Sequence, residues 1–70
     1  MRDPFIPPKI VQLMRSLHIP DWVAIDAFKT GEQRPGTTKR LKKYASYGTI
    51  QITYVKNDKG EYIITWVKSW

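Results

Sequence analysis

The segment YGTIQITYVKNDKGEYIITWV, residues 47–67, decides the fold of this chain of 70 residues. Apolar and polar residues alternate from Ile50 to Tyr54, a period of two that predicts a strand with one buried face. The group NDKG at residues 57–60 predicts a hairpin turn, because Asn, Asp and Gly tolerate the positive φ angles of tight turns. The more uniformly apolar residues 62–67 predict a returning strand, which we expect to lie centrally in a sheet.

Two short helices are predicted before the strands. Apolar residues between positions 10 and 17 recur at i, i+3, i+4 and i+7, the spacing of an amphipathic helix that Pro20 ends. Asp21 has the side chain of a good N-cap for a second helix over residues 22–29. Gly31 follows that helix, and we expect it to be a left-handed C-cap.

The remaining segments complete a single small domain. Residues 1–8 hold three of the five prolines and predict an extended N-terminal arm, followed by one domain over residues 9–70. Residues 39–45 predict a lysine-rich edge strand, and Trp22 is expected to pack into the core. The predicted fold class is α+β, with two short N-terminal helices packed on a small twisted antiparallel sheet of three to four strands.

Composition narrows the classes of function. The net charge of +6 and the isoelectric point near 9.8 favour a polyanionic partner. The chain has no cysteine and one histidine, which excludes disulfides and zinc–thiolate sites, and we expect neither a metal nor a cofactor. No apolar run approaches the length of about 20 residues that a membrane span needs, so we expect no membrane span.

The run KRLKK at residues 39–43 concentrates four cations, and Arg34 lies just upstream. In a strand, Lys39 and Lys43 would project to one face, whereas Arg40 and Lys42 would project to the other. Such a cluster can neutralise several phosphates of a nucleic acid. Aromatic side chains that can stack unpaired bases lie beside it, at Tyr44 and Tyr47. The alternative role is a solvated strand edge whose lysines prevent association between strands.

An ordered set of short motifs runs through nearly the whole chain. The set comprises Lys9-Ile10, Met14, Ile19, Gly31, the basic run 39–43 and the hairpin motif ND-x-GE at 57–61. In this order the chain resembles the catalytic domain of the colicin-type anticodon ribonucleases, part of the barnase–EndoU–colicin–RelE group of toxin nucleases. Related small toxin domains share a closing strand like Ile63-Ile64-Thr65.

This resemblance implies metal-independent cleavage of tRNA. The ribose 2′-hydroxyl attacks the adjacent phosphate and displaces the 5′-oxygen of the next nucleotide, which gives a 2′,3′-cyclic phosphate and a 5′-hydroxyl. By resemblance, Lys9 and Lys43 would stabilise the phosphate and the transition state. The arginine of the family falls at Leu17 here, and either Arg15 or His18 could substitute for it from a shifted position. We expect His18 to act as the proton shuttle; its alternative role is a helix cap or surface residue. The residues expected to bind substrate are Arg15, Arg34, Lys39, Arg40, Lys42 and Thr65.

The resemblance also implies a biological setting. The partners would be tRNA or another RNA and an acidic cognate immunity protein. The domain would act in the cytoplasm of a target bacterium, delivered as the C-terminal part of a larger secreted toxin. Two other functions remain open: a non-catalytic RNA- or DNA-binding module, and a protein–protein adaptor that docks through the last strand and Trp70.

Overall fold

A computed structural model describes residues 2–70 of the chain. It contains two helices and four strands: α1 (Pro8–Ser16), α2 (Asp21–Thr30), β1 (Glu32–Gln33), β2 (Lys39–Tyr44), β3 (Gly48–Lys56) and β4 (Tyr62–Ser69). The strands form one antiparallel sheet in the order β1-β2-β3-β4. The predicted α+β fold is confirmed. Neither helix within residues 2–70 is long and apolar enough to cross a membrane.

Both helices pack on one face of the sheet, which we call the inner face. Its apolar positions alternate along β3, where Ile50 and Ile52 are fully buried, as the sequence pattern predicted. The buried core comprises Ile10, Met14, Ile19, Val23, Ala24, Ala27, Phe28, Ile50, Ile52, Ile64 and Val67. The opposite face of the sheet carries no helix, and we call it the open face.

The corner between the helices is a Schellman motif. The Ile19 N–H donates to the Met14 carbonyl at 2.8 Å, and the His18 N–H donates to the Arg15 carbonyl at 3.1 Å. His18 lies in the left-handed region, with φ of 59°. Met14 and Ile19 are both buried, so they provide the hydrophobic contact that accompanies this motif.

The ends of α2 differ from expectation. Asp21 is the first residue of the helix rather than its N-cap, because Pro20 holds the extended cap position and no side chain caps the helix. Gly31 is extended, with φ of −70° and ψ of 158°, so the left-handed C-cap prediction is wrong. A Cβ at Gly31 would lie 2.2 Å from the Ala27 carbonyl oxygen and 3.0 Å from that of Leu41. Glycine is required there because a side chain would collide with the carbonyl of the last turn of α2 and, less severely, with a carbonyl of β2.

The order of the strands corrects two further predictions. β4 lies at an edge of the sheet rather than at its centre, and β3 is flanked on both sides. β2 is not an edge strand, because the two residues of β1 pair with it. On the outer side of β4, the arm adds one parallel bridge: the Phe5 N–H donates to the Tyr62 carbonyl at 2.9 Å, and the Ile64 N–H donates to the Phe5 carbonyl at 3.0 Å.

The predicted hairpin joins β3 to β4, and Asn57 organises it. The Asn57 Oδ1 atom accepts the N–H groups of Lys59 at 3.0 Å and Glu61 at 2.9 Å. Of the four predicted turn residues, only Gly60 uses a positive φ, of 80°. The side chain of Asn57 therefore stabilises the turn, a role that the sequence pattern had distributed over several turn residues.

Candidate nucleic-acid interface

The basic cluster is divided between the two faces of the sheet, as the alternation predicted. Arg40 is opposite Ile52 and Lys42 is opposite Ile50, which places both on the inner face beside buried residues. Lys39 and Lys43 project to the open face and are exposed. The four cations therefore belong to two different environments.

Arg40 is engaged by the protein itself. Its Nη1 donates to the Phe28 carbonyl, and its Nε donates to Gln33 Oε1 at 3.0 Å. The guanidinium carbon lies 5.0 Å from the centre of the Phe28 ring and 5.3 Å from that of Tyr54. Arg40 thus joins β1, β2 and α2, because a planar guanidinium can stack and donate at the same time.

Lys42 is likewise held by α2. Its Nζ donates to Asp26 Oδ2 and to Thr30 Oγ1, both at 2.7 Å. The Tyr44 hydroxyl also donates to Asp26 Oδ2, at 2.6 Å. The hydrogen bonds from Lys42 and Tyr44 lower the pKa of Asp26, whereas burial and the neighbouring carboxylate raise the pKa of Tyr44. This ion pair fixes α2 against β2, so Lys42 and Arg40 have structural partners on the helix side.

The open face has a regular arrangement of side chains on three adjacent strands. Pairing between β2, β3 and β4 aligns three rows: Lys39–Thr53–Trp66, Leu41–Gln51–Lys68 and Lys43–Thr49–Trp70. The three lysines are exposed, and Trp66 and Trp70 are 53% and 60% exposed. Among these nine side chains, all within residues 2–70, none is acidic; Glu32 stands at the border, opposite Leu41.

The spacing of the three lysines follows from sheet geometry. Lys39 and Lys43 are four residues apart on one strand, which corresponds to about 13 Å. Lys68 lies in the middle row two strands away, or about 10 Å across the sheet. The three ammonium groups therefore form a broad triangle rather than one focus. Such a triangle suits successive phosphates of an extended backbone better than a single anion.

The three residues expected to act in catalysis are not brought together. Lys9 is in the first turn of α1, and His18 lies beyond its last residue, so about 13 Å of helix separates them. α1 packs on the inner side of the sheet through Ile10 and Met14, whereas Lys43 projects from the open face. The sheet therefore lies between Lys43 and the other two residues, which lie on the helix side. Leu17, beside His18, is 38% exposed.

The other residues expected to contact substrate are distributed around the molecule. Arg15 is exposed in the last turn of α1, and Arg34 is exposed in the turn between β1 and β2. Thr65 is exposed on β4, and its hydroxyl donates to the Thr53 carbonyl at 3.3 Å. Of the predicted set, Lys39 and Lys43 share the open face with the two tryptophans, and Thr65 is exposed next to Trp66 in β4.

The tryptophans differ from expectation. Trp22 is 56% exposed rather than buried, because its ring lies edge-on against Tyr44 at 6.1 Å and Tyr47 at 5.9 Å instead of entering the core. The sequence placed the last strand and Trp70 only in the docking surface of the alternative protein–protein adaptor, and it did not assign Trp66, Lys68 and Trp70 to a nucleic-acid site. The alternation of residues along β4 does not identify them, because a β-bulge interrupts it.

The cavity between the arm and the hairpin is less suited to a polyanion than the open face. It has a volume of about 410 Å³ and lies between residues 2–5 and residues 60–62. Its lining includes one cation, Arg2, and the two carboxylates of Asp3 and Glu61, which would repel phosphate. Within residues 2–70, no cluster of three or more His, Cys, Asp or Glu side chains is placed to hold a metal ion.

No protein-family model, curated protein or solved structure matches the chain. A function for this chain is therefore inferred from the geometry and charge of the open face and from the resemblance in sequence motifs.

Proposed function

We propose that this protein binds RNA through the open face of its sheet. One observation carries the proposal: three exposed lysines and two half-exposed tryptophans share a sheet face without a carboxylate among them. Lysine ammonium groups neutralise phosphates and release condensed counterions, and aromatic rings stack on bases. The proposal names RNA rather than DNA because of the resemblance to ribonucleases.

The competing explanation is that a protein with a net charge of +6 attracts any polyanion to any part of its surface. The two explanations differ in which lysines matter. Binding at the open face depends on Lys39 and Lys43, whereas diffuse attraction depends only on the total charge. Lys9 and Arg15 provide a matched control, because both are exposed on α1 and carry the same charge.

The experiment measures the fluorescence anisotropy of a labelled, unstructured oligoribonucleotide titrated with three proteins at several salt concentrations. These are the wild type, the double variant Lys39→Gln/Lys43→Gln and the control Lys9→Gln/Arg15→Gln. The open-face variant should lose about tenfold or more in affinity at low salt and reduce the slope of log K against log salt by about 1.4. The control should change little. Equal losses in both double variants would refute the open face as the site.

Cleavage of the bound RNA is a second candidate function. Cleavage is favoured by the three exposed lysines of the open face, because an RNA bound there would supply its own 2′-hydroxyl nucleophile. Ammonium groups fixed near the phosphate can stabilise the negative charge that develops in the transition state. In this proposal Lys43 acts at the open face, whereas Lys9 and His18, on the helix side, are not required.

The cleavage proposal is tested by incubating total tRNA with the protein in EDTA and analysing the products for 2′,3′-cyclic phosphate ends. Lys43→Ala should lower the rate more than the affinity, because the group acts chiefly in the transition state. Lys9→Ala and His18→Ala should leave the rate unchanged. Intact tRNA at high protein excess would exclude cleavage and leave RNA binding. Loss of activity in the Lys9 and His18 variants alone would place the catalytic residues on the helix side.

A further inference from the structure

The exposure of the tryptophans on β4 depends on a β-bulge. Tyr54 of β3 pairs with Ile64, but the preceding Thr53 pairs with Trp66, so Thr65 is an extra residue in β4. Without this extra residue, Trp66 would project to the same face as the buried Ile64, because alternate residues of a strand share a face. The bulge turns Trp66 outward and gives its inward position to Val67. Bulges of this kind commonly re-aim a side chain at a functional site.

After the bulge, Trp66, Lys68 and Trp70 alternate along one strand on the open face. Their cross-strand neighbours are Thr53, Gln51 and Thr49, which are shorter than an indole ring and leave much of the two rings accessible. The Lys68 ammonium lies 4.8 Å from the centre of the Trp70 ring. This cation–π contact holds the ammonium against the Trp70 ring, and Lys68 itself lies between the two tryptophans along the chain.

We propose that Trp66 and Trp70 stack two unpaired bases of a single-stranded nucleic acid and that Lys68 binds a phosphate of the backbone between them. This inference rests on the proposed function and specifies its ligand. The indole positions are four residues apart, or about 13 Å along the strand. Bases stacked in a duplex rise only about 3.4 Å per step, so two bases on these rings must belong to an extended, unstacked strand. A duplex hides its base faces and offers only its backbone.

Lys68 exchanges partners in this arrangement. In the free protein its ammonium lies over Trp70. A stacked base needs that ring face, and the phosphate of the same nucleotide offers the ammonium a full negative charge. The lysine therefore moves from the ring to the phosphate as the base stacks, which couples the two contacts.

The test uses the full chain and compares a single-stranded oligoribonucleotide with a duplex RNA of equal length. Trp66→Leu and Trp70→Leu should each weaken single-strand binding by roughly 5- to 100-fold, because base–aromatic stacking has that effect for each base. Duplex binding should stay within about twofold, since it depends on phosphate contacts. Trp22→Leu is the matched control, because it removes an exposed tryptophan from the helix side. Trp66→Phe should restore most of the affinity, which separates lost stacking from a disturbed strand.

Tryptophan fluorescence gives an independent measurement. The single strand should quench the emission of Trp22→Phe, which retains both open-face rings, but not that of Trp66→Phe/Trp70→Phe, which retains only Trp22. Salt-dependent RNA binding without single-strand preference or quenching would overturn this inference and leave the proposed function intact. Absence of salt-dependent binding to either RNA would overturn both.

Discussion

His18 holds the left-handed position that ends α1, and the left-handed region is costly for a residue with a Cβ. Glycine removes that cost, about 1 kcal/mol or more, although it also adds freedom to the unfolded chain. We expect His18→Gly to raise the free energy of unfolding by about 0.5 kcal/mol. Urea denaturation followed by circular dichroism measures the change.

His18→Ala is the control, because alanine keeps the strained backbone and should bring no such gain. A loss of stability with His18→Gly would mean that the imidazole itself stabilises the corner. RNA binding should be unchanged in both variants, because His18 lies on the helix side.

Asp26 gives the fold a dependence on pH. Hydrogen bonds from Lys42 and Tyr44 lower the pKa of Asp26 below its unfolded value of about 3.9. Such a carboxylate stabilises the folded state above the unfolded pKa, and the contribution is lost as the pH falls through the folded pKa. Wild type should therefore exceed Asp26→Asn in stability by a constant amount above about pH 5, and the difference should disappear in acid. Urea denaturation from neutral to acidic pH measures this difference.

Tyr44→Phe serves as a comparison, because it removes one donor to Asp26 and leaves the other in place. Tyr44→Phe should reduce the part of the folding stability that is lost in acid, without abolishing it. A difference between wild type and Asp26→Asn that persists unchanged into acid would show that the ion pair does not stabilise the fold.

The end of α2 meets β2 at Gly31. Gly31→Ala would place a methyl group against two backbone carbonyls, and neither can move like the end of a flexible side chain. We expect a loss of at least about 2 kcal/mol in the free energy of unfolding. Gly36→Ala provides the comparison: its φ is 72° but nothing lies within 4 Å of an added Cβ, so only backbone strain acts there. An effect of Gly31→Ala no larger than that of Gly36→Ala would contradict the packing argument.

The elements show which parts of the fold the sequence could predict. The alternation of Ile50 and Ile52 and the turn residues after Lys56 are local signals, and they correctly predicted the strand, its buried face and the hairpin. The position of β4 at an edge was not predictable, because edge and central strands of similar composition differ only in long-range pairing. Gly31 was misjudged in part for the same reason: its closest constraint is the Ala27 carbonyl of α2, but a second one comes from Leu41, ten residues away and on another element.

The open face was predicted only in part. Alternation correctly separated Lys39 and Lys43 from Arg40 and Lys42, because β2 is regular. Trp66 and Trp70 were not assigned to a nucleic-acid site, because the bulge at Thr65 shifts the alternation and leaves no clear local signature. The expected convergence of Lys9 with Lys43 depended on the resemblance alone, and the sheet lies between them.

At the scale of the whole molecule, the charge that favours RNA also opposes folding. A net charge of +6 on 70 residues raises the energy of the compact state, and much of that charge lies on the sheet and its neighbouring turns. Salt screens this repulsion over about 10 Å at 0.1 M. It also screens the attraction of RNA. Added salt should therefore have opposite effects on the free protein and on the complex.

We expect the melting temperature of the free protein to rise as salt increases from low to moderate concentration, since repulsion among its cations is screened. A saturating single-stranded RNA should raise the melting temperature at low salt, because a ligand at one hundred times its Kd stabilises the folded state by about 2.7 kcal/mol. This gain should shrink as salt increases. In Lys39→Gln/Lys43→Gln the free protein should melt higher than wild type at low salt, yet gain less from RNA. Thermal denaturation measures the melting temperatures of wild type and of the double variant, each with and without RNA. If the free double variant melts lower than wild type but keeps the full gain from RNA, these lysines stabilise the fold rather than bind the ligand.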